Sequence, residues 1–462
     1  MAELLNIIEK TISLDIIDLN YGYGCESFGL LEGSHAAKPK AGYLQRIGNF
    51  FFRMGKFLIA SIGESREDIP PHANLFFVDT QNQRDSLAPI ARRMSNGFFV
   101  GTGNKGSISG VFPLFWAYLF SLPFFPLVAW RLHGSRGYKR KSFRYNIDYY
   151  WLTYGYFLVA VNWLRRLSPR VIIMSNDHNM PNRVVALAAK FACIPTIYIQ
   201  HASVNKQFPP LSFDFALLDG TRALQAYNEA GESATKVFLI GTPKFDDYFA
   251  SINKRHLLKN IGICTNHFDP IDRVDEVCRE LSIRFADLRV SVRPHPGDSR
   301  QRDAWINLAK KYEYHFSDPN KELSFAFLER CEAIIVGDSN ILLDAALLNV
   351  YPLYYDFGLT KWDWYGFCAT GLIEYLAHVD ELCARIRSLI SSKPDIRSRC
   401  LPYCCTVGGR YDGRSSELAV SAINMILDST DEFIKEWKRV SGVSLEAYQL
   451  SDGCVSVGLG NS

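Results

Sequence analysis

Short apolar runs rich in β-branched residues alternate along most of this chain with stretches of helical spacing. Leu75-Phe-Phe-Val78, Gly97-Phe-Phe-Val100, Arg170-Val-Ile-Ile-Met174, Thr196-Ile-Tyr-Ile199, Phe213-Asp-Phe-Ala-Leu-Leu218 and Lys236-Val-Phe-Leu-Ile240 read as strands, each ended by polar or turn-forming residues. Helices are predicted between them, over 86–94 and 182–192. The alternation starts afresh after Lys254, with strands at Asn260-Ile-Gly-Ile-Cys264, Arg289-Val-Ser-Val292, Ala333-Ile-Ile-Val336 and Leu353-Tyr-Tyr355. Strand–helix alternation carried through twice predicts an α/β protein of two Rossmann-like domains facing across a cleft. The expected division is 1–250, 251–430, and a C-terminal helix and tail over 431–462, the helix spanning 431–439 and crossing back to the first domain. A strand is also expected over 13–19, and the Gly/Ser-rich tail after 452 is expected to fray.

In such folds the loops after the carboxyl ends of strands line the ligand crevice. Asp177 and His178 follow one first-domain strand and His201 follows the next. A solvated or capping role suits His178; His201, directly after a buried strand, reads as a proton acceptor, with Asp177 the second choice. In the second half, Ala333-Ile-Ile-Val-Gly-Asp-Ser-Asn340 reads as strand, tight turn and helix start. Asp338 and Ser339 are good cap residues, and a helix beginning there presents unpaired N–H groups to an anion, for which a phosphate is the obvious candidate. Capping of a core helix is the alternative reading of Ser339. Arg293-Pro-His295-Pro upstream and Arg414 downstream, near the start of the last helix, add cationic or hydrogen-bonding groups. Gly241-Thr-Pro-Lys-Phe-Asp246 reads as a turn that marks a boundary.

Composition narrows the field. With 51 basic and 48 acidic side chains the net charge is +3, which disfavours a nucleic-acid partner bound by bulk positive charge. Eleven cysteines without a CxxC pair suit free thiols in a reducing compartment, so a cytoplasmic location is expected and a metal site is not. No charged residue occurs from Gly106 to Trp130, a stretch dense in aromatics, and Arg131, Arg136, Lys139, Arg140, Lys141 and Arg144 follow at once. Pro113, Pro123 and Pro126 argue against a simple span. Segment 106–144 therefore reads as a peripheral contact with an anionic membrane surface on the inner face of the cell membrane, as a hairpin packed into the first domain, or, last, as a true span.

Taken in order, Gln200-His201, Gly241-Thr-Pro-Lys-Phe-Asp246, Arg293-Pro-His-Pro296 and Gly337-Asp-Ser-Asn340 resemble the GT-B glycosyltransferases of bacterial surface polysaccharides. Among these the pattern is most similar to CDP-glycerol glycerophosphotransferases and to CMP-dependent Kdo and sialic acid transferases of capsule and lipopolysaccharide assembly. Ala202 follows the histidine where the glycerophosphotransferases usually carry glycine. The resemblance covers about 170–425. It implies a nucleotide-activated sugar or polyol-phosphate donor, CMP- or CDP-linked, on the second domain, and a glycan or lipid-linked acceptor on the first. No further cofactor is implied. In that scheme His295 and Ser339 hold the donor and His201 deprotonates the acceptor hydroxyl; Arg293 and Arg414, by their charge, and Asp338 and Asn340, beside Ser339, are the further donor-binding candidates. A UDP-GlcNAc 2-epimerase-like isomerase, which shares the fold, is the alternative, and a catalytically silent scaffold is a third reading.

Overall fold

A computed structural model describes residues 42–61, 69–102, 108–136, 140, 147–177, 179–205, 208–266, 269–298, 302–359, 362–428 and 436–450. The expected strand over 13–19, His178, and the tail after 452 lie outside the described residues.

The chain enters through α1 (Tyr43–Ser61) and continues with β1 (Asn74–Val78), α2 (Gln81–Ala91), β2 (Gly97–Gly101) and β3 (Gly110–Val111). Two short helices, α3 (Leu114–Ser121) and α4 (Phe125–Gly134), and the long α5 (Ile147–Leu167) lead into β4 (Val171–Met174). Then come α6 (Met180–Phe191), β5 (Thr196–Ile199), β6 (Phe215–Leu218), α7 (Thr221–Ala230) and β7 (Lys236–Leu239). A 3₁₀ segment, Pro243–Ser251, opens the second half: β8 (Asn260–Cys264), α8 (Ile271–Arg284), β9 (Arg289–Arg293), α9 (Arg302–Lys311), β10 (His315–Phe316) and α10 (Ser324–Leu328). It finishes with β11 (Ala333–Val336), α11 (Ile341–Leu347), β12 (Tyr351–Tyr355), β13 (Tyr375–Leu376) and α12 (Val379–Ser391), before α13 (Ser415–Asp428), β14 (Trp437–Arg439) and β15 (Ala447–Leu450).

These elements form two sheets, a nine-stranded one ordered β14-β15-β7-β6-β5-β4-β1-β2-β3 and a six-stranded one ordered β10-β9-β8-β11-β12-β13. All neighbours run parallel except β14 and β15. Helices cover both faces of each sheet, which is why β1, β4, β5, β11 and β12 are buried along their whole length and read as unbroken apolar runs. The fold is thus two Rossmann-like domains facing across a cleft, the GT-B arrangement.

The packing of α13 bears on where the chain returns to the first domain. Helix α13 buries Leu418, Ala419, Ala422 and Ile423 in the core formed by Val78, Ile173, Ile197 and Leu217 of the first sheet, so the crossing back comes before α13. Full burial of Leu418 and Ile423 contributes about 1.5–3 kcal/mol each. Of the helix expected over 431–439, the first five residues lie outside the described residues, and Trp437–Arg439 is the edge strand β14.

Within 108–136 the chain forms α3 and α4, packed on α5. Gly155 of α5 lets α3 approach closely: its N–H donates to Ser121 Oγ at 3.0 Å, and Trp151 Nε1 donates to the Ser121 carbonyl at 2.7 Å. One face of this hairpin is therefore core; the other is not.

Candidate functional site

Both sheets turn the carboxyl ends of their strands toward the cleft, and two of the following loops touch across it. The backbone N–H of Ser203, in the loop after β5, donates to Asn340 Oδ1, in the turn after β11, at 3.0 Å. Gln200 shapes the first loop: its Nε2 donates to the Ala202 carbonyl at 3.0 Å and its Oε1 accepts from Asp219 N at 2.9 Å, tying the ends of β5 and β6 together. His201 sits on this staple, partly exposed, two residues from the interdomain bond. Asp338, Ser339 and Asn340 are likewise partly exposed on the opposite side.

The turn differs from its expected form. Helix α11 begins at Ile341 and neither Asp338 nor Ser339 caps it; Asn340 precedes it and makes no side-chain cap bond. Asn340 spends its acceptor on the other domain, while Asp338 Oδ2 accepts from the Trp364 N–H at 2.6 Å. That bond draws the aromatic stretch Trp362-Asp-Trp-Tyr365 over the turn, an element not anticipated from the sequence. Gly337 is needed for close approach, because a Cβ there would stand 2.6 Å from Asp269 Oδ1 and 3.0 Å from Asn266 Nδ2. Burial pushes the Asp338 carboxyl up to about 6, with the Asp363 and Asp356 carboxylates adding to the rise against the Trp364 N–H. Asp269 is pushed to about 7, again chiefly by burial. Both carboxyls are thus held well above the ordinary carboxylate range by burial.

The other expected site residues are engaged elsewhere. Asp177 is buried inside the first domain, its Oδ2 accepting from the Tyr227 hydroxyl at 2.6 Å. The same hydroxyl lies 3.1 Å from that of Tyr198, and Arg183 Nη1 donates to the Asp177 carbonyl at 3.1 Å. Arg293 is buried at the end of β9, donating to Ser317 Oγ and the Glu322 carbonyl, each at 2.8 Å, with its guanidinium over Phe327. His295 is partly exposed just beyond, its Nδ1 accepting from Gly297 N at 3.0 Å. Arg414 is exposed and pairs with Glu417, its Nε 3.0 Å from Oε2. The structure brings together His201, Asp338, Ser339 and Asn340, and gives Asp177, Arg293 and Arg414 partners outside that meeting point.

The segment read as a boundary turn is the main interdomain strut. Lys244 Nζ donates to Asp344 Oδ1, in the first turn of α11, at 2.8 Å. Two residues on, Asp246 accepts from Ser415 N at 2.9 Å and Ser416 N at 2.6 Å, holding the start of α13. Gly241 adopts φ +76° against Thr406 and Ser415, a left-handed conformation with no room for a side chain. Nearby, burial pushes the Asp219 carboxyl up to about 8, opposed by the Lys244 cation and raised further by Asp344. The sequence signal for this strut is the lysine and aspartate of the motif, whose partners lie 100 and 169 residues away. Among the described residues no group of three or more His, Cys, Asp or Glu side chains is placed to hold a metal ion.

No protein-family model matches the chain, and no curated sequence matches it. Solved structures do resemble it. A crystal structure of UDP-N-acetylglucosamine 2-epimerase aligns with a TM-score of 0.53 at 12% identity, covering 78% of this chain and 98% of that one. The S. aureus MnaA–UDP co-structure aligns at 0.51 and 14% identity, covering 78% and 97%. UDP-GlcNAc 2-epimerase from Neisseria meningitidis bound to UDP-GlcNAc aligns at 0.50 and 14%, covering 76% and 98%. At these identities the likeness is one of fold: two Rossmann-like domains about a cleft.

Proposed function

We propose that the chain is a nucleotide-sugar-dependent glycosyltransferase, taking its donor on the second domain and its acceptor on the first. The observation that carries this reading is the Ser203–Asn340 bond, which sets a histidine-bearing loop against the turn suited to a phosphate. The acceptor hydroxyl oxygen attacks the anomeric carbon, the bond to the donor phosphate breaks with its electron pair, and His201 takes the hydroxyl proton. An imidazole suits that task because its ordinary titration lies near neutral pH. The nucleotide leaves as a phosphate anion, stabilised by fixed N–H and hydroxyl donors around Ser339, with His295 a further candidate donor. Displacement is direct, with inversion. The donor is CMP- or CDP-linked and the acceptor a surface-polysaccharide or lipid-linked glycan, on the strength of the motif resemblance. For a polyol-phosphate donor the same groups serve attack at phosphorus.

The second reading, a nucleotide-sugar 2-epimerase, is favoured by the fold shared with the 2-epimerase structures. Epimerisation removes a proton from carbon and returns it on the other face, which takes acid–base groups on both sides of the ring. Of the first-domain carboxylates at this edge, Asp177 and Asp219 are buried, while Asp79, directly after β1, is partly exposed. The readings separate on one experiment. Thermal shifts with CMP-sugars, CDP-glycerol and UDP-sugars identify the donor, because a ligand bound only by the folded state raises its melting temperature. Turnover is then measured with and without an acceptor glycan. Consumption that requires the acceptor supports the transferase; conversion of UDP-GlcNAc alone establishes the epimerase. No shift with any nucleotide overturns both.

A further inference from the structure

The first domain carries an apolar surface that the cleft chemistry does not use. On α1, Leu44, Phe52 and Ile59 are 73–75% exposed, and Phe51 and Leu58, also exposed, lie on the same arc at helical spacing. The opposite arc, with Phe50, Ile47, Met54 and Phe57, is packed into the core. Helix α1 lies beside α3 through Phe57 stacked on Tyr118, and α3 exposes Trp116 and Phe120. Trp130 of α4 is 66% exposed. Helices α1 and α4 also meet, since Tyr43 of α1 and Phe125, Leu132 and His133 of α4 line one recess of about 260 Å³ with Arg140 and Ile147. Leu114–Gly134 is long and apolar enough to cross a membrane, yet the 3₁₀ turn Leu122–Phe124 interrupts it and only 22% of its most apolar stretch is buried. Isolated exposed apolar residues are ordinary; a contiguous aromatic and aliphatic face on three adjacent helices marks an interaction surface.

Charge says what covers it. None of α1, α3 and α4 contains an Asp or Glu. Lys56, His133, Arg136 and Arg140 are exposed around the apolar face. Arg46 and Arg53, by contrast, reach the buried Asp148 at 3.4 and 3.6 Å and anchor α1 on α5. We propose that this face docks on an anionic phospholipid bilayer, the apolar side chains entering the headgroup–acyl boundary and the four basic groups meeting lipid phosphates. A second copy of the chain is a poor occupant, because a two-fold contact sets like charges against each other. The location is also apt. Helix α5 runs into the amino end of β4, so its start at Ile147, about 30 Å away by helical rise, lies toward the carboxyl edge of the sheet, the edge that carries His201. That end of α5 is where Asp148 holds α1.

The inference is independent of the reaction proposed above, and its test is flotation of the full chain with vesicles. Binding is expected with mixed phosphatidylglycerol and phosphatidylcholine, and about ten-fold less with phosphatidylcholine alone or in high salt. Two triple variants of exposed residues, Phe52→Ser/Ile59→Ser/Trp130→Ser and Lys56→Glu/Arg136→Glu/Arg140→Glu, should each lower binding about ten-fold or more. Both should keep the wild-type melting temperature and nucleotide-induced shift. The proposal is overturned by no flotation of the wild type with anionic vesicles, or by variants that bind as the wild type does. It is also overturned by a wild-type dimer in buffer that the apolar variant converts to monomer.

Discussion

Ser203 and Asn340 lie 137 residues apart and share a 3.0 Å hydrogen bond from backbone N–H to side-chain oxygen. Through it the loop bearing His201 and the turn bearing Ser339 take up one fixed relation, although they belong to different sheets. Asn340→Ala strips the partner from a buried N–H, which costs about 1–3 kcal/mol. Turnover should fall about ten-fold or more. Asn340→Asp keeps an acceptor oxygen and should recover most of both. Melting curves and steady-state rates on the pair of variants check this; equal rates for Ala and Asp would show that the bond does not position the loops.

Asp177 is expected to act as a structural acceptor. Asp177→Asn retains an oxygen for the Tyr227 hydroxyl, 2.6 Å away in the wild type, so turnover should stay within a few-fold. Stability should change by about 1 kcal/mol. A loss of several orders of magnitude in rate would return Asp177 to the role of base.

The Lys244–Asp344 pair is mostly buried, its side chains 20% and 9% exposed. Lys244→Met leaves Asp344 without its cation, for which about 3–5 kcal/mol of stability should be lost. The double variant Lys244→Met/Asp344→Leu restores a neutral interface and should recover most of that loss, giving a large coupling in a double-mutant cycle. Additive effects would mean that the strut is not held by this pair.

Asp219 gives a pH dependence of definite sign. Its folded-state value is raised from 3.8 to about 8, so the folded protein holds a proton that the unfolded chain releases. The stabilisation is complete below about pH 4 and is lost progressively as pH rises to about 8, by up to about 1.4 kcal/mol per unit. Asp219→Asn cannot ionise. Chemical denaturation at several pH values should show the wild type losing stability relative to this variant between pH 5 and pH 8; parallel profiles would contradict the assignment.

Much of this architecture is legible in the sequence, and the residues show why the rest is not. Runs such as Val171–Met174 and Ala333–Val336 announce themselves because strands covered on both faces have no polar positions. Trp437–Arg439 does not, since an edge strand with two exposed basic residues has no such pattern. Helix α13 is plainly amphipathic, but which sheet its apolar face meets depends on Val78 and Ile173, far back in the chain. Side-chain partners were the least visible. A histidine after a buried strand and a Gly-Asp-Ser-Asn turn point to the cleft on topology alone, whereas Arg293 and Asp177 stand at the ends of strands just as well. What sets their surroundings apart is a particular serine, glutamate or tyrosine brought close by folding.

The most direct test of the account is single-turnover kinetics of His201→Ala with the donor found by thermal shift, beside the donor-binding constant of the same variant. If an imidazole from the first domain removes the acceptor proton while the second domain holds the donor, transfer drops by about 10²–10⁴-fold and donor affinity is unchanged. Transfer at the wild-type rate, or a loss of donor binding that accounts for the whole defect, would contradict it.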